Sequence, residues 1–158
     1  MRNLIPTFIL DQIAQGNRAD SLPAVVLFVD TSGFTPLTVE LMQHGAEGAE
    51  IVAGVLDAVF TPLVEIIYAQ GGFIAGFAGD AFKAIFPTAA GDAHRRAILA
   101  AWQIRQQMAQ HPTQTTRFGV FAFEVKVCMA DGEVEWEVWQ GDDTSATQRA
   151  AYIFAGPA

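Results

Sequence analysis

The feature that most constrains this chain is a short apolar run, Ala24-Val25-Val26-Leu27-Phe28-Val29, that stops abruptly at Asp30. A run without polar alternation and rich in β-branched residues makes a strand buried on both faces. Such a strand belongs inside a sheet, with other elements packed around it.

The following segments supply that surround. Asp30-Thr31-Ser32-Gly33 ends the run, and Thr35 is a candidate N-cap with Pro36 at the first helical position of a short helix reaching about Gln43. A longer helix is predicted over about 46–70, with Ile51, Val55, Val59, Leu63 and Ile67 as its apolar stripe and Gly71-Gly72 as its stop. Pro62 inside it predicts a kink or a split. Residues 73–77 and 81–86 read as a hairpin turning at Gly79-Asp80. A third helix is expected over about 89–110, with Ile98, Trp102 or Ala101, Ile104 and Met108 inward.

Residues 121–129 alternate apolar and polar, Asp131-Gly132 signals a hairpin, and Glu133, Glu135 and Glu137 then alternate with Val134, Trp136 and Val138. Cys128 is expected in the core, and Trp136 and Trp139 on opposite faces. Residues 140–148 read as a polar loop and 150–154 as a last strand. Ahead of the first strand, residues 4–15 carry helical spacing and a polar linker follows to Ser21. The chain thus divides into an N-terminal helix and linker (1–23) and one α+β domain (24–158). Its fold is expected to be an antiparallel sheet of ferredoxin-like, split βαβ topology with helices packed on it.

Composition narrows the function. The net charge is −8 over 158 residues and there is no basic stripe, which excludes a nucleic-acid partner. No uninterrupted apolar run is long enough for a membrane span, and no secretory signal opens the chain. A single cysteine excludes an internal disulfide framework, fits a reducing compartment and makes a cytoplasmic location the expectation.

An acidic protein can still hold a polyanion if cations bridge carboxylates to phosphates. Asp30 and Asp80 sit where a strand ends and where a hairpin turns. If the first strand is central and the hairpin pairs beside it, both reach one end of the sheet. Two carboxylates there repel, which favours a hard divalent cation between them. The segment Thr31–Thr35 leads into a helix N-terminus, whose N–H groups suit a terminal phosphate. Taken alone, each feature is more simply read as local turn chemistry.

Longer motifs go further. Residues 27–38 (LFVDTSGFTPLT) resemble the opening motif of class III adenylyl and guanylyl cyclases, and residues 71–82 (GGFIAGFAGDAF) resemble their second metal motif at matching spacing. Residues 125–132 (VKVCMADG) look like the next hairpin of that family, and 152–158 (YIFAGPA) like the start of its final motif. The likeness is nearest to the first cyclase domain of soluble adenylyl cyclase and to bacterial relatives.

The resemblance implies two divalent cations, Mg²⁺ or Mn²⁺, bound by Asp30, Asp80 and the backbone carbonyl of Thr31. It implies β- and γ-phosphates cradled by Ser32, Gly33, Phe34 and Thr35, and an active site completed by a second cyclase domain. The substrate would be a nucleoside triphosphate, ATP being favoured. The product would be its 3′,5′-cyclic monophosphate, with pyrophosphate released.

Two positions depart from the pattern. Gly76 stands where adenylyl cyclases carry a base-reading lysine, and Ile153 where a second base-reading residue is usual; Lys83 lies nearby but off the motif. The transition-state Asn and Arg are expected beyond Ala158, so the domain reads as C-terminally incomplete and the isolated chain as weak or inactive. A fragment of a longer enzyme, one half of a pseudo-symmetric pair, and a non-catalytic nucleotide-binding or dimerisation module all fit these departures.

Overall fold

In a computed structural model, residues 5–140 and 150–156 are described. The elements are α1 (Thr7–Ala14), β1 (Ala19–Ser32), α2 (Phe34–Leu41), α3 (Gly45–Ala69), β2 (Phe73–Ala78), β3 (Ala81–Pro87), α4 (Ala93–Gln110), β4 (Thr113–Thr116), β5 (Gly119–Ala122), β6 (Glu124–Gln140) and β7 (Ala150–Ala155). Five strands form one sheet in the order β2-β3-β1-β6-β7, every neighbouring pair antiparallel. Strands β2-β3-β1-β6, with α3 and α4 as connections, reproduce the expected split βαβ plan. Strand β7 extends that sheet, and β4-β5 is a separate hairpin inserted before β6.

The apolar run lies at the centre, as its composition requires. On one face Val25, Leu27 and Val29 pack with Leu37, Val59, Leu63, Phe82, Phe86 and Ile104, burying the sheet under α2, α3 and α4. On the other, Ala24 and Val26 join Phe73, Ile85 and Val134. Helix α1 docks on this second face: Ile9 is buried, and Phe8 stacks on Phe73 (5.3 Å between centroids) and meets Trp136 edge-on (5.5 Å). The helix covers only part of that face. Phe28, two residues along β1 from Val26, stays 38% exposed.

Several expectations are corrected. Strand β1 begins at Ala19 and pairs with β6 from Glu137 onward, so part of the expected linker is strand. Helix α2 starts at Phe34 with Gly33, in the left-handed region, as its N-cap; Thr35 is already inside it. Helix α3 runs unbroken through Pro62 for 25 residues. Its buried stripe on both sides of the proline (Val55, Val59, Leu63, Ile67) holds it against the sheet, which offsets the backbone bond that Pro62 cannot make.

Helix α4 buries Ala93, Ala97, Ala100, Ile104 and Met108, while Ile98 and Trp102 are 54% and 59% exposed. Two overlapping stripes shared the helical period, and the one with small residues lets the helix approach the sheet closely. Asp131-Gly132 is no hairpin: β6 continues through both residues, which pair with Val25 and Ala24 of the long β1. The expected strand over 121–129 is instead broken at Phe123, between β5 and β6. Cys128 is exposed, lying opposite Phe28 where α1 does not reach. Trp136 is buried and Trp139 exposed, as alternation requires.

The expected polar loop lies, apart from Gln140, outside the described residues. The helical stretch 34–69 is long and apolar enough, by length and composition, to cross a membrane (mean hydropathy 1.8 in its best window). In this structure its apolar stripe belongs to the core beneath the sheet.

Candidate functional site

Strand β1 carries Asp30 to the end of the sheet, where it is in register with Ala81, the first residue of β3. Asp80 is the preceding residue, in the β2–β3 turn that Gly79 closes with φ +63°. The two motifs are joined directly: the backbone N–H of Thr31 donates to the carbonyl oxygen of Asp80 at 3.0 Å. Asp30 and Asp80 are both half-buried. Fifty positions apart in sequence, they become neighbours because β1 and β3 pair antiparallel.

Thr31 is fully buried, and its hydroxyl has no hydrogen-bond partner among the described residues. Ser32 is exposed. Gly33 adopts φ +117°, and a Cβ there would collide with the carbonyl oxygen of Ala122. Only glycine lets the loop pass so close to the end of β5. Phe34 then turns inward, packing on Phe60 (5.5 Å) and Phe123 (4.7 Å), so its side chain anchors the loop and only its backbone is left for a ligand. Thr35 is exposed in the first turn of α2, and no side chain caps that helix. Its first N–H groups therefore have no side-chain partner.

The donor set is two carboxylates. Among the described residues no group of three or more His, Cys, Asp or Glu comes together. That set fits Mg²⁺ or Mn²⁺ shared with a phosphate ligand, because such ions take one or two carboxylates and fill the remaining positions with phosphate and water oxygens. Lys126 of β6 stands directly opposite Asp30 and carries the opposite charge. Sequence reading gave it no role, since only strand register makes the pair.

Gly76 and Ile153, from opposite ends of the sheet order, line one cavity of about 210 Å³ together with Phe28, Phe77, Lys83 and Tyr152. The Tyr152 hydroxyl is held above its ordinary pKa, first by burial and then by the neighbouring Tyr68. Larger open grooves flank α3, one of about 570 Å³ lined by Glu47, Glu50 and Arg117 and one of about 580 Å³ lined by Pro62, Ile66 and Trp102; neither contains Asp30 or Asp80. His44 stacks on Phe118 at 3.8 Å, and exposed His94 lies 3.7 Å from Asp131.

No protein-family model matches the chain, and no curated protein matches it either. Solved structures do. A bacterial light-regulated adenylyl cyclase superposes with TM-score 0.71 at 19% identity, over 96% of this chain and 43% of that one. The non-canonical dimeric guanylyl cyclase domain of a RhoGC fusion protein from the aquatic fungus Blastocladiella emersonii gives 0.61 at 20% identity, over 88% and 70%. The guanylyl cyclase Cya2 gives 0.54 at 26% identity, over 88% and 66%. The chain therefore spans less than half of the light-regulated enzyme and about two thirds of the other two. It has the fold of class III adenylyl and guanylyl cyclase catalytic domains.

Proposed function

We propose that the chain is a nucleotide cyclase domain that takes a nucleoside triphosphate, ATP in preference, to its 3′,5′-cyclic monophosphate and pyrophosphate. The observation that carries this reading is the Thr31–Asp80 backbone bond, which fastens both candidate carboxylates to one end of the sheet beside a glycine loop and a helix N-terminus. The cyclase fold of the neighbours supports it.

Divalent cations bound there would neutralise phosphate charge and acidify the ribose 3′-hydroxyl. Asp30 and Asp80 would hold them, with the Thr31 carbonyl as a further oxygen. The N–H groups of Ser32–Thr35 hold the β- and γ-phosphates. So positioned, the 3′-hydroxyl would give its proton to water, its oxygen would attack the α-phosphorus, and the bond to pyrophosphate would break. A second cyclase domain completes the site across an interface; that the fungal domain has been seen both as a non-canonical dimer and as a monomer supports no more than the capacity of this fold to pair. The domain would work in cyclic-nucleotide signalling in the cytoplasm.

A second reading is a non-catalytic nucleotide-binding or dimerisation module. It is favoured by Gly76 and Ile153, which put no polar side chain at either expected base-reading position. Assay of cyclic nucleotide formation from ATP and GTP with Mn²⁺, alone and with candidate partner domains, separates the two. Turnover abolished in both Asp30→Asn and Asp80→Asn supports the enzyme. Metal-dependent binding without turnover under every pairing supports the module.

A further inference from the structure

The groove of about 570 Å³ on α3 is built from a helix face and a strand edge. Its α3 wall is a single stripe, Glu47, Glu50, Ile51, Gly54, Val55 and Ala58, at the three- and four-residue spacing of one helix face. Its other wall is Gln114, Thr115 and Thr116 of β4, followed by Arg117. Neighbouring residues of a strand point to opposite faces, so three in a row border one groove only along the strand's edge. That edge is unpaired: β4 pairs with β5 on its other side and with no further strand among the described residues. Its outward N–H and C=O groups are an open template for another strand.

We propose that this groove binds an extended, basic segment of a partner protein, added as a strand to β4 and packed against α3. The dimensions agree. The α3 stripe covers roughly 16 Å of helix axis and β4 about 14 Å of strand, so about four or five residues lie between them. Gly54 keeps the middle of the groove open, since a Cβ there would meet nothing within 4 Å. Side chains of an added strand that face α3 recur every ~6.8 Å, and Glu50, Gly54 and Ala58 recur every ~6 Å. The charge sets the direction. Glu47 is taken by Arg117, whereas Glu50 has no ion-pair partner among the described residues. Beyond Glu50 the α3 wall turns apolar, through Ile51, Val55 and Ala58. The segment that matches carries a basic residue against Glu50 and apolar residues two and four positions from it. Such a segment is also attracted over longer range by a chain of net charge −8. The hairpin it joins ends at Ala122, whose carbonyl closes over Gly33, so the partner stands one strand away from the candidate phosphate loop.

The probe is the peptide acetyl-Thr-Lys-Thr-Val-Thr-Val-Thr-amide, titrated into the isotope-labelled full chain and followed by backbone amide shifts. Shifts should move at Thr113–Thr116 and along residues 47–58 and saturate with a Kd of about 1 mM or tighter. The same peptide with every backbone N–H methylated cannot pair with an edge and should not bind. Replacing its lysine by glutamate should weaken binding to the parent, and Glu50→Lys should reverse that preference. Gly54→Leu fills the groove without displacing an atom and should weaken the lysine peptide by about tenfold. No saturable shift at β4 by about 2 mM peptide overturns the proposal. Equal binding of the methylated peptide, an unaltered charge preference in Glu50→Lys, or unchanged affinity in Gly54→Leu does so as well. If the same amides move when the chain alone is concentrated, the occupant is a second copy and the partner-peptide assignment falls.

Discussion

The N–H of Thr31 donates to the carbonyl oxygen of Asp80 across 3.0 Å, so the residue after one candidate carboxylate is fastened to the backbone of the other. Asp30 and Asp80 are thus held as a pair by main-chain geometry that their own side chains do not make. Replacing either carboxylate should leave the pairing in place and remove only the charge. Asp30→Asn and Asp80→Asn are each expected to lose Mg²⁺-dependent nucleotide binding by tenfold or more, on the order of the 1.5–3 kcal/mol of a charge-assisted contact. Unfolding stability should stay within about 0.5 kcal/mol of the parent. Titration calorimetry beside urea denaturation checks both halves; a variant that keeps full metal-dependent affinity would remove that aspartate from the site.

Gly33 and Gly76 make a contrast that a stability measurement can read. Gly33 combines φ +117° with a Cβ position blocked by Ala122, so Gly33→Ala should cost about 3 kcal/mol and displace the loop before α2. Gly76 has open space and no left-handed backbone, and Gly76→Ala should be neutral or add up to about 1 kcal/mol. Equal midpoints for the two variants in urea would contradict the loop geometry.

The central strand and the β2–β3 hairpin were legible because each rests on local signals, an unbroken apolar run and a Gly-Asp turn; the meeting of Asp30 with Asp80 followed only on the condition that the hairpin pairs beside the first strand, as β3 does with β1. What stayed hidden depends on register and on competition between equivalent patterns. Lys83 faces Gly76 only because of one bulge, and Lys126 faces Asp30 only because of the register in which β6 pairs with β1; beyond them β6 also runs unbroken through Asp131-Gly132. That dipeptide favours a turn in isolation, but fourteen paired residues along β1 hold it extended. In α4, Ile98 and Trp102 obey the helical period as well as Ala97 and Ala100 do, and the tight approach to the sheet chose the small residues.

Tyr152 gives a pH dependence with a definite sign. Burial, with Tyr68 adding like charge once ionised, raises its pKa in the folded chain above the ordinary value of about 10. Between the unfolded and folded values the native state holds more protons, so stability falls as pH rises there. The contribution is complete below about pH 10 and is lost as pH climbs through the folded value. Urea midpoints measured from pH 8 to 11.5 should decline more steeply for the parent than for Tyr152→Phe. Parallel profiles would show that Tyr152 ionises as freely folded as unfolded.

Arg96 is the side chain that ties the helical layer to the hairpin. Its guanidinium donates to four backbone carbonyls: Gly91 through Nε (3.0 Å), Gln70 and Gly71 through Nη1 (3.1 and 3.0 Å), and Pro87 through Nη2 (3.1 Å). Those acceptors lie just past the end of α3, at the end of β3 and ahead of α4, so one planar fork closes three chain reversals and places a cation at the α3 C-terminus. Arg96→Met keeps most of the stem and removes every donor. It should destabilise the chain by about 2–3 kcal/mol, since several carbonyls lose a charged partner together. Arg96→Lys should recover only part of this, because a single ammonium cannot span the same fork. The site stands at the far end of β3 from Asp80, so any metal-dependent nucleotide affinity should survive in the folded fraction of both variants. Hydrogen exchange locates the effect: protection should fall first at Gly71, whose N–H bonds the Tyr68 carbonyl, and Gly72, whose N–H bonds that of Ile67, while Thr31 stays protected by Asp80. Uniform loss of protection through both regions would mean that Arg96 supports the whole sheet and not the α3 terminus.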